Sequence, residues 1–534
     1  MSWRIFLIFI IVNYFPYPSL WAGDTLSPLI DVSLMLGDDS NAFEDSTALP
    51  VDSTAIDSVE FDLPTFYYLD AFDSSSVRFL SLEACIALAL QNNRILKRYR
   101  LSEKSAEINL KLAEMRYLPS GYLRGGRNES RNDDLGYLII KQNVSSNVGL
   151  SRRLETGGSV RLGVNNSISE SSNNEGVTNF NAGIGININQ PLLQGAGLEV
   201  NRIPITRAKA YANVSLLDIK QSMINLITMI ERQYWDLILV YEDYKIQQQA
   251  LKRTMELLEV NRSLIEAGRL ASQEIIQAES DVATREIAVA NVENDIIDAQ
   301  ITLQAQLDLN QRITIRPTTK MTFQPITVNT EDCLQKAYKN RPDWLIHQKY
   351  LEIERMNLIV ARNNNRYELD SYGGISSDAT SIRSLGEAYK EAFQFNSLTW
   401  NVGLEFTFPF AREVLRNGVI LQQLSYDRQE LYLAELEDNI RIAVENAVRE
   451  VQYTLAQVHL AQRAKTLTEK KLLLEEEKMK VGRSSNFQVI AYQRDLINAQ
   501  NSELQKIAAY LKAIGRLEQT MGTTLRKWNI EIED

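Results

Sequence analysis

The sequence predicts a mainly α fold with a β-barrel portion, the barrel continued by a long coiled coil of helices, in two tandem structural repeats per chain. Three observations predict it. In Asn179–Pro191 the apolar residues Phe180, Ala182, Ile184, Ile186 and Ile188 alternate with Asn and Gly, and Ser397–Pro409 repeats the alternation 218 residues on with Leu398, Trp400, Val402, Leu404, Phe406 and Phe408. A period of two puts the apolar side chains on one face of a strand, and about eleven residues is the length of a tilted strand crossing a bilayer. Each run leads into a helical pattern of roughly seventy residues, a rod of about 100 Å that is too long for a compact domain. The whole order of elements then occurs twice.

Composition narrows the function classes. The chain has 534 residues, two cysteines (Cys85 and Cys333) and two histidines (His347 and His459), so a disulfide framework or a Cys/His metal centre is excluded. Net charge is −11, and residues 24–80 carry all of it, with twelve acidic residues and one Arg. The neutral remainder lacks the basic footprint of a nucleic-acid partner. Arg4 followed by the apolar run Ile5–Val12, with small residues at Ala22 and Gly23, reads as a signal peptide over residues 1–23. Residues 24–80, rich in Ser, Asp and Thr, read as an acidic, flexible extension.

The first repeat spans 81–325. Ser81 with Glu83 marks a capped helix start, and the Ala/Leu-rich pattern continues to about Leu118, where Pro119 and the glycines Gly121, Gly125 and Gly126 break it. Strand-like runs follow at Tyr137–Gln142 and Val144–Leu154. Glu155-Thr-Gly-Gly158 forms a hairpin turn ahead of Val160, Leu162 and Val164, and a polar loop leads to the strand at 179–191. The long helix runs from Leu198 to Ala267, with Pro204 in its first turns. Ile230, Tyr234, Leu237, Tyr241 and Tyr244 form its seam. Gly268 ends it, and a second helix runs from Gln273 to Leu309.

The second repeat spans 326–522. Cys333 falls on Cys85, Asn340 on Asn92 and Gly373-Gly374 on Gly125-Gly126, all at an offset of 248. The strand copy sits at an offset of 218, so the first repeat holds thirty extra residues. A long helix from Arg412 to Val481, Gly482, and a helix from Asn486 to Met521 complete the repeat, leaving 523–534 as a C-terminal tail. Each long helix needs a partner along its whole stripe, which two shorter helices stacked end to end supply. Two or a few strands per repeat cannot close a barrel, so several chains must contribute to one. The thirty extra residues fit two added strands per chain or a flap outside the membrane, and the strands are the expectation.

No catalytic, cofactor-binding or metal-ligating residue is assigned. No nucleophile, base and orienting group share a recognisable spacing. Both histidines lie in helical stretches and suit packing, the two cysteines suit buried small positions, and Glu475-Glu-Glu-Lys478 suits a solvated helix face. A scaffold of periplasmic coiled coils that transports nothing is the alternative reading, and it leaves the lipid-type alternation without a use. The residues read as lipid-facing are Ile184, Ile186, Ile188, Trp400, Val402, Leu404 and Phe406.

Over residues 81–522 this arrangement resembles the TolC-type outer-membrane efflux family. The resemblance rests on Ser81-Leu-Glu-Ala-Cys-Ile-Ala-Leu-Ala-Leu-Gln-Asn-Asn93, Ala337-Tyr-Lys-Asn-Arg-Pro-Asp-Trp344, Gln190-Pro-Leu-Leu-Gln-Gly195 and the glycines in Ala267-Gly-Arg-Leu270 and Val481-Gly-Arg-Ser484. It implies a homotrimer whose barrel lies in outer-membrane lipid and whose helices form a periplasmic tunnel. It further implies an exit duct for an efflux or type I secretion system, joined by a periplasmic adaptor (membrane fusion) protein to an inner-membrane transporter. The implied adaptor contacts are the tips Gly268, Arg269, Leu270, Gly482, Arg483 and Ser484. Family members often close the entrance with carboxylates six and nine residues after the second tip glycine, where this chain has Gln488 and Ala491. The matching positions of the first repeat are Glu274 and Gln277, and Phe487 and Tyr492 are candidates for closing the entrance by packing.

Overall fold

A computed structural model describes residues 77–530 apart from 135–136, 172–176, 269–270, 272–273, 310–312 and 482. The signal peptide and residues 24–76 of the acidic extension therefore lie outside the described residues. The last four residues assigned to that extension are structured instead: Val77–Leu80 is strand β1, pairing in parallel with β6, Thr314–Pro317. Leu80 and Ile315 are buried under the long helix, so this short ladder is apolar where it meets the core.

The helix expected over 81–118 is two. Ser81 caps α1 (Leu82–Asn92) as its spacing predicts, its side chain accepting from the Ala84 amide. Asn93 then both ends α1 and caps α2 (Arg94–Glu114), its Oδ1 accepting from the amides of Ile95 and Leu96 at 2.9 and 3.2 Å. A side chain that competes for backbone donors breaks a helix without Gly or Pro, which explains why the break was not legible. The second repeat breaks at the equivalent place, between α5 (Thr330–Asn340) and α6 (Pro342–Asn364), with proline at N1.

Six strands form one antiparallel sheet in the order β2-β3-β4-β5-β7-β8. They are β2 (Ser120–Asp134), β3 (Tyr137–Arg153), β4 (Ser159–Ser171), β5 (Thr178–Pro191), β7 (Glu368–Ser381) and β8 (Leu398–Thr407). The thirty extra residues thus supply the β3–β4 hairpin as expected, and Val144–Asn166 is paired on both sides. β2 and β7 were not expected, because their glycines and scattered polar and charged residues hide the period of two. The short helix α7 (Leu385–Phe393), capped by Ser384, was also not expected.

The two long helices are α3 (Leu198–Glu266) and α8 (Arg412–Lys480), 69 residues each. Their partners are α4 (Glu274–Leu307) and α9 (Asn486–Met521). α2 and then α4 cover α3 end to end, and α6 and then α9 cover α8 in the same way. α3 also packs on α9, so the helices stand side by side in the order α4, α3, α9, α8. Cys85 and Cys333 are both free and buried, and burial, with Glu83 adding, pushes the Cys85 thiol up to about 12.

The tail is not a tail. Thr524–Lys527 forms α10, and Lys527 Nζ lies 3.0 Å from Glu231 of α3 and 2.7 Å from Glu518 of α9. Trp528 Nε1 donates to the same Glu231 oxygen at 3.0 Å. Gly515 leaves the room that carboxylate needs, since a Cβ there would stand 2.6 Å from Glu231 Oε2.

Candidate functional site

The sheet has one apolar and one polar face, and the register fixes which is which. Cross-strand partners run Leu150–Leu162–Ile186–Ile375–Trp400, and one row along, Val160–Ile188–Gly373–Val402. All seven residues read as lipid-facing share this face. Most are open, with Trp400, Val402 and Leu404 at 70, 77 and 68 % exposure. So wide an exposed apolar surface on a sheet needs a non-aqueous neighbour.

The opposite face is polar and small. Asn187 and Thr407 lie on it, and Thr380 donates to Asn181, which donates to Ser167, in a cross-strand ladder. Two tyrosines lie flat on this face over glycines directly opposite them. A Cβ at Gly149 would meet the Tyr122 hydroxyl at 2.6 Å, and one at Gly403 would meet the Tyr372 ring at 2.3 Å. Aromatic cover of this kind restores the packing that glycine removes from a strand.

Both ends of the apolar face are marked. Toward the loops, α7 lies across β5 and β7 over the small residues Ala182 and Ser377, and Ser377 Oγ donates to the Ala392 carbonyl at 2.7 Å. Toward the helices, Tyr367, Phe406, Phe408 and Phe410 stack with successive centroids 5.5–5.8 Å apart, and Arg412 sits 5.1 Å over the Tyr367 ring. Aromatic rings with a cation at one margin of an apolar band belong at a membrane–water boundary.

At the far end of the helices, α3 turns back at Gly268 toward α4, and α8 is followed by α9. Gly268 has φ 65°, the left-handed conformation that lets a glycine end a helix. Arg269, Leu270 and Gly482 lie outside the described residues. Arg483 donates its amide to the Lys478 carbonyl at 2.8 Å, and Ser484 Oγ donates to Glu475 Oε1 at 2.6 Å. Glu475 is therefore no solvated position: it is 8 % exposed, and the hydrogen bonds from Ser484 and then Lys478 hold its carboxyl below the usual range.

Glu274 opens α4, and Gln277 one turn on donates to Asp281 at 3.4 Å. Gln488 lies in the first turn of α9, Ala491 is half-buried, and Phe487 is 72 % exposed. Tyr492 faces α8, with Lys471 Nζ 3.6 Å over its ring, and packs on Leu472, Val489 and Leu496. The pairing missed at sequence level is Asp281 with Arg494, 4.0 Å apart, which joins α4 to α9 near the tips. Helical periodicity alone cannot show it, because the partners sit in different repeats.

The helical layer, like the sheet, ends in open edges. On α8 the residues Tyr453, Leu460, Leu467 and Leu474, with Val481 just past its end, recur every seven positions, each more than half exposed. On α4, at the other edge, Ile276, Ile287 and Ile297 are equally open. A seven-residue apolar repeat is a coiled-coil seam, here without a partner among the described residues. Strands β2 and β8 each pair on one side only among the described residues.

The fold of the chain is that of solved outer-membrane channels. The Campylobacter jejuni CmeC outer membrane channel superposes with TM-score 0.62 at 16% identity, over 83% of this chain and 86% of that one. The outer membrane protein VceC of Vibrio cholerae gives 0.61 at 14% identity, over 83% and 96%. The open state of the Neisseria gonorrhoeae MtrE outer membrane channel gives 0.60 at 16% identity, over 83% and 89%. Curated protein sequences yield no match. The sequence profile of the outer membrane efflux proteins matches residues 85–307, from within α1 to the end of α4.

Proposed function

We propose that the chain is one subunit of an outer-membrane exit duct, closed as a homotrimer. The two-edged architecture carries this reading. Sheet and helical layer both end in unsatisfied edges, and a cyclic assembly satisfies both at once. With six strands per chain, three copies supply eighteen strands to the barrel and set the α8 stripe of each against α4 of the next. The apolar face then meets outer-membrane lipid, and the helices form a tunnel in the periplasm.

The duct passes substrates received from an inner-membrane transporter of an efflux or type I secretion system. The tips around Gly268 and Gly482 are the contact for a periplasmic adaptor, since their turns offer backbone carbonyls that the helices leave free. At the entrance, one carboxylate per chain at Glu274 gives a weak cation preference, and Phe487, exposed beside the tip, closes the lumen by packing. Tyr492, turned toward α8, steadies that packing from behind.

The test is membrane fractionation followed by mass measurement of the detergent-solubilised particle. Three chains per particle in the outer-membrane fraction support the reading, and a soluble monomer overturns it. For the entrance, the reconstituted channel is recorded with a trivalent cation on the periplasmic side. Weak block abolished in Glu274→Gln is expected; tight block that survives the substitution places the closing charges elsewhere.

A further inference from the structure

Gly373 is the one position without a side chain in the apolar row Val160–Ile188–Gly373–Val402. Its absence opens a groove of about 670 Å³ between β5 and β8, walled by Ile186, Ile188, Ile375, Trp400 and Val402. Backbone space does not require glycine here. A Cβ at Gly373 would meet nothing nearer than Asn401 O at 3.7 Å and Val402 Cγ2 at 3.8 Å, and its φ is not among the left-handed ones. The missing side chain leaves this stretch of the groove open.

A second observation lies at the groove's loop-side end. Phe395 lines it from a backbone with φ 54°, a conformation that bulky residues avoid because Cβ crowds the carbonyl. Its amide donates to the Ala392 carbonyl at the end of α7, and the ring stays half exposed over the recess. A strained aromatic that is not buried gains nothing from the core, and such residues gather at binding sites. The polar residue at this end, Ser377, is fully buried with its hydroxyl committed to Ala392.

We propose that the groove binds one acyl chain of an outer-membrane lipid per subunit, with Phe395 as its end stop. The proposal rests on the reading that this face meets the bilayer. The occupant follows from continuity with that contact: the recess opens directly onto the hydrocarbon, its walls are carbon, and a dry apolar recess takes up an apolar guest, not water. A flexible linear chain fits an elongated slot between two strands.

Full-length protein in mild detergent, stripped of lipid, is titrated with dipalmitoyl phosphatidylethanolamine and weighed by native mass spectrometry. Wild type is expected to saturate at one lipid per chain. Gly373→Phe, which fills the slot, is expected to hold lipid at least about tenfold more weakly, and Gly373→Ala to bind as wild type. If Gly373→Phe fails to assemble, Phe395→Gly, which relieves the backbone and removes the end stop, is expected to show the same weakening. Lipid taken up without saturation, or retained unchanged in the filled or opened variant, overturns the proposal. Failure of the duct reading shows separately, as a soluble monomer before any lipid is added.

Discussion

Lys527 holds two carboxylates from different helices, Glu231 of α3 and Glu518 of α9, and through them docks the end of the chain on the bundle. Burial works against its charge, but the two carboxylates prevail and raise its pKa; burial raises that of Glu518 despite Lys527. Lys527→Met leaves a buried and a partly buried carboxylate without this cation, and the expected loss is about 2–4 kcal/mol, less than for a fully buried pair because the ammonium is a third exposed. Thermal unfolding measures it. With a folded pKa above the unfolded one, the Lys527 contribution is complete at neutral pH and disappears as pH rises through the raised value, so wild type and Lys527→Met should converge in alkali. Glu475 at the tip has the opposite sign. Its folded pKa is depressed, so its contribution is present above the ordinary carboxylate pKa and is lost as pH falls through the lowered value. Protection of the Ser484–Val489 amides against hydrogen exchange, relative to the intrinsic rate at each pH, should fall in acid for wild type, and at neutral pH already in Glu475→Gln. Unchanged protection in that variant would remove Glu475 as the latch of this turn.

At the level of elements, one face of a strand and one stripe of a helix carry distinct expectations. Arg at Ile186 or Val402 should cost about 2–4 kcal/mol of folding into lipid near the midplane, whereas Arg at Asn187 should assemble and alter conductance. Equal tolerance on both faces, read from the yield of membrane-inserted protein, would refute the assignment. On α8, Leu467→Asp places a carboxylate on the seven-residue stripe and should weaken assembly without unfolding the chain, since Leu467 is 57 % exposed within one subunit. Sedimentation in detergent distinguishes a lost trimer from a lost fold. These elements were legible because periodicity is a local signal: the strands at 179–191 and 397–409, and the 69-residue helices, follow from spacing alone. β2 was not, since Arg124, Arg127 and Glu129 occupy a strand whose pairing with β3, fifteen residue pairs in register, overrides its weak alternation. Nor was the burial of Glu475, which depends on Ser484 returning across the turn.

For the whole molecule, the β3–β4 hairpin sets the width of the proposed barrel, and the registers predict what its removal does. β2 and β4 run one way, β3 and β5 the other, so excising β3 and β4 brings β2 beside β5 in the antiparallel sense the sheet requires. The faces also stay matched. Gly121 lies in the row of Leu150, Leu162 and Ile186, so in the shortened sheet it pairs with Ile186 and every apolar side chain keeps its side. Deleting residues 137–171 leaves 135–136 and 172–177 as the connection, long enough for a hairpin loop. Such a chain carries four strands, and a trimer of it closes twelve in place of eighteen. Barrel diameter grows roughly linearly with strand number, so the outer mouth should narrow by about a third. Conductance with the entrance closed should hardly change, because the helical tips and not the barrel are then the narrowest passage. The largest polymer that enters from the outer face should become smaller, and exclusion of graded polyethylene glycols during single-channel recording reads that size directly. A deletion variant that inserts and excludes the same polymers as the full chain would show that the hairpin lies outside the barrel wall and that the sheet closes some other way.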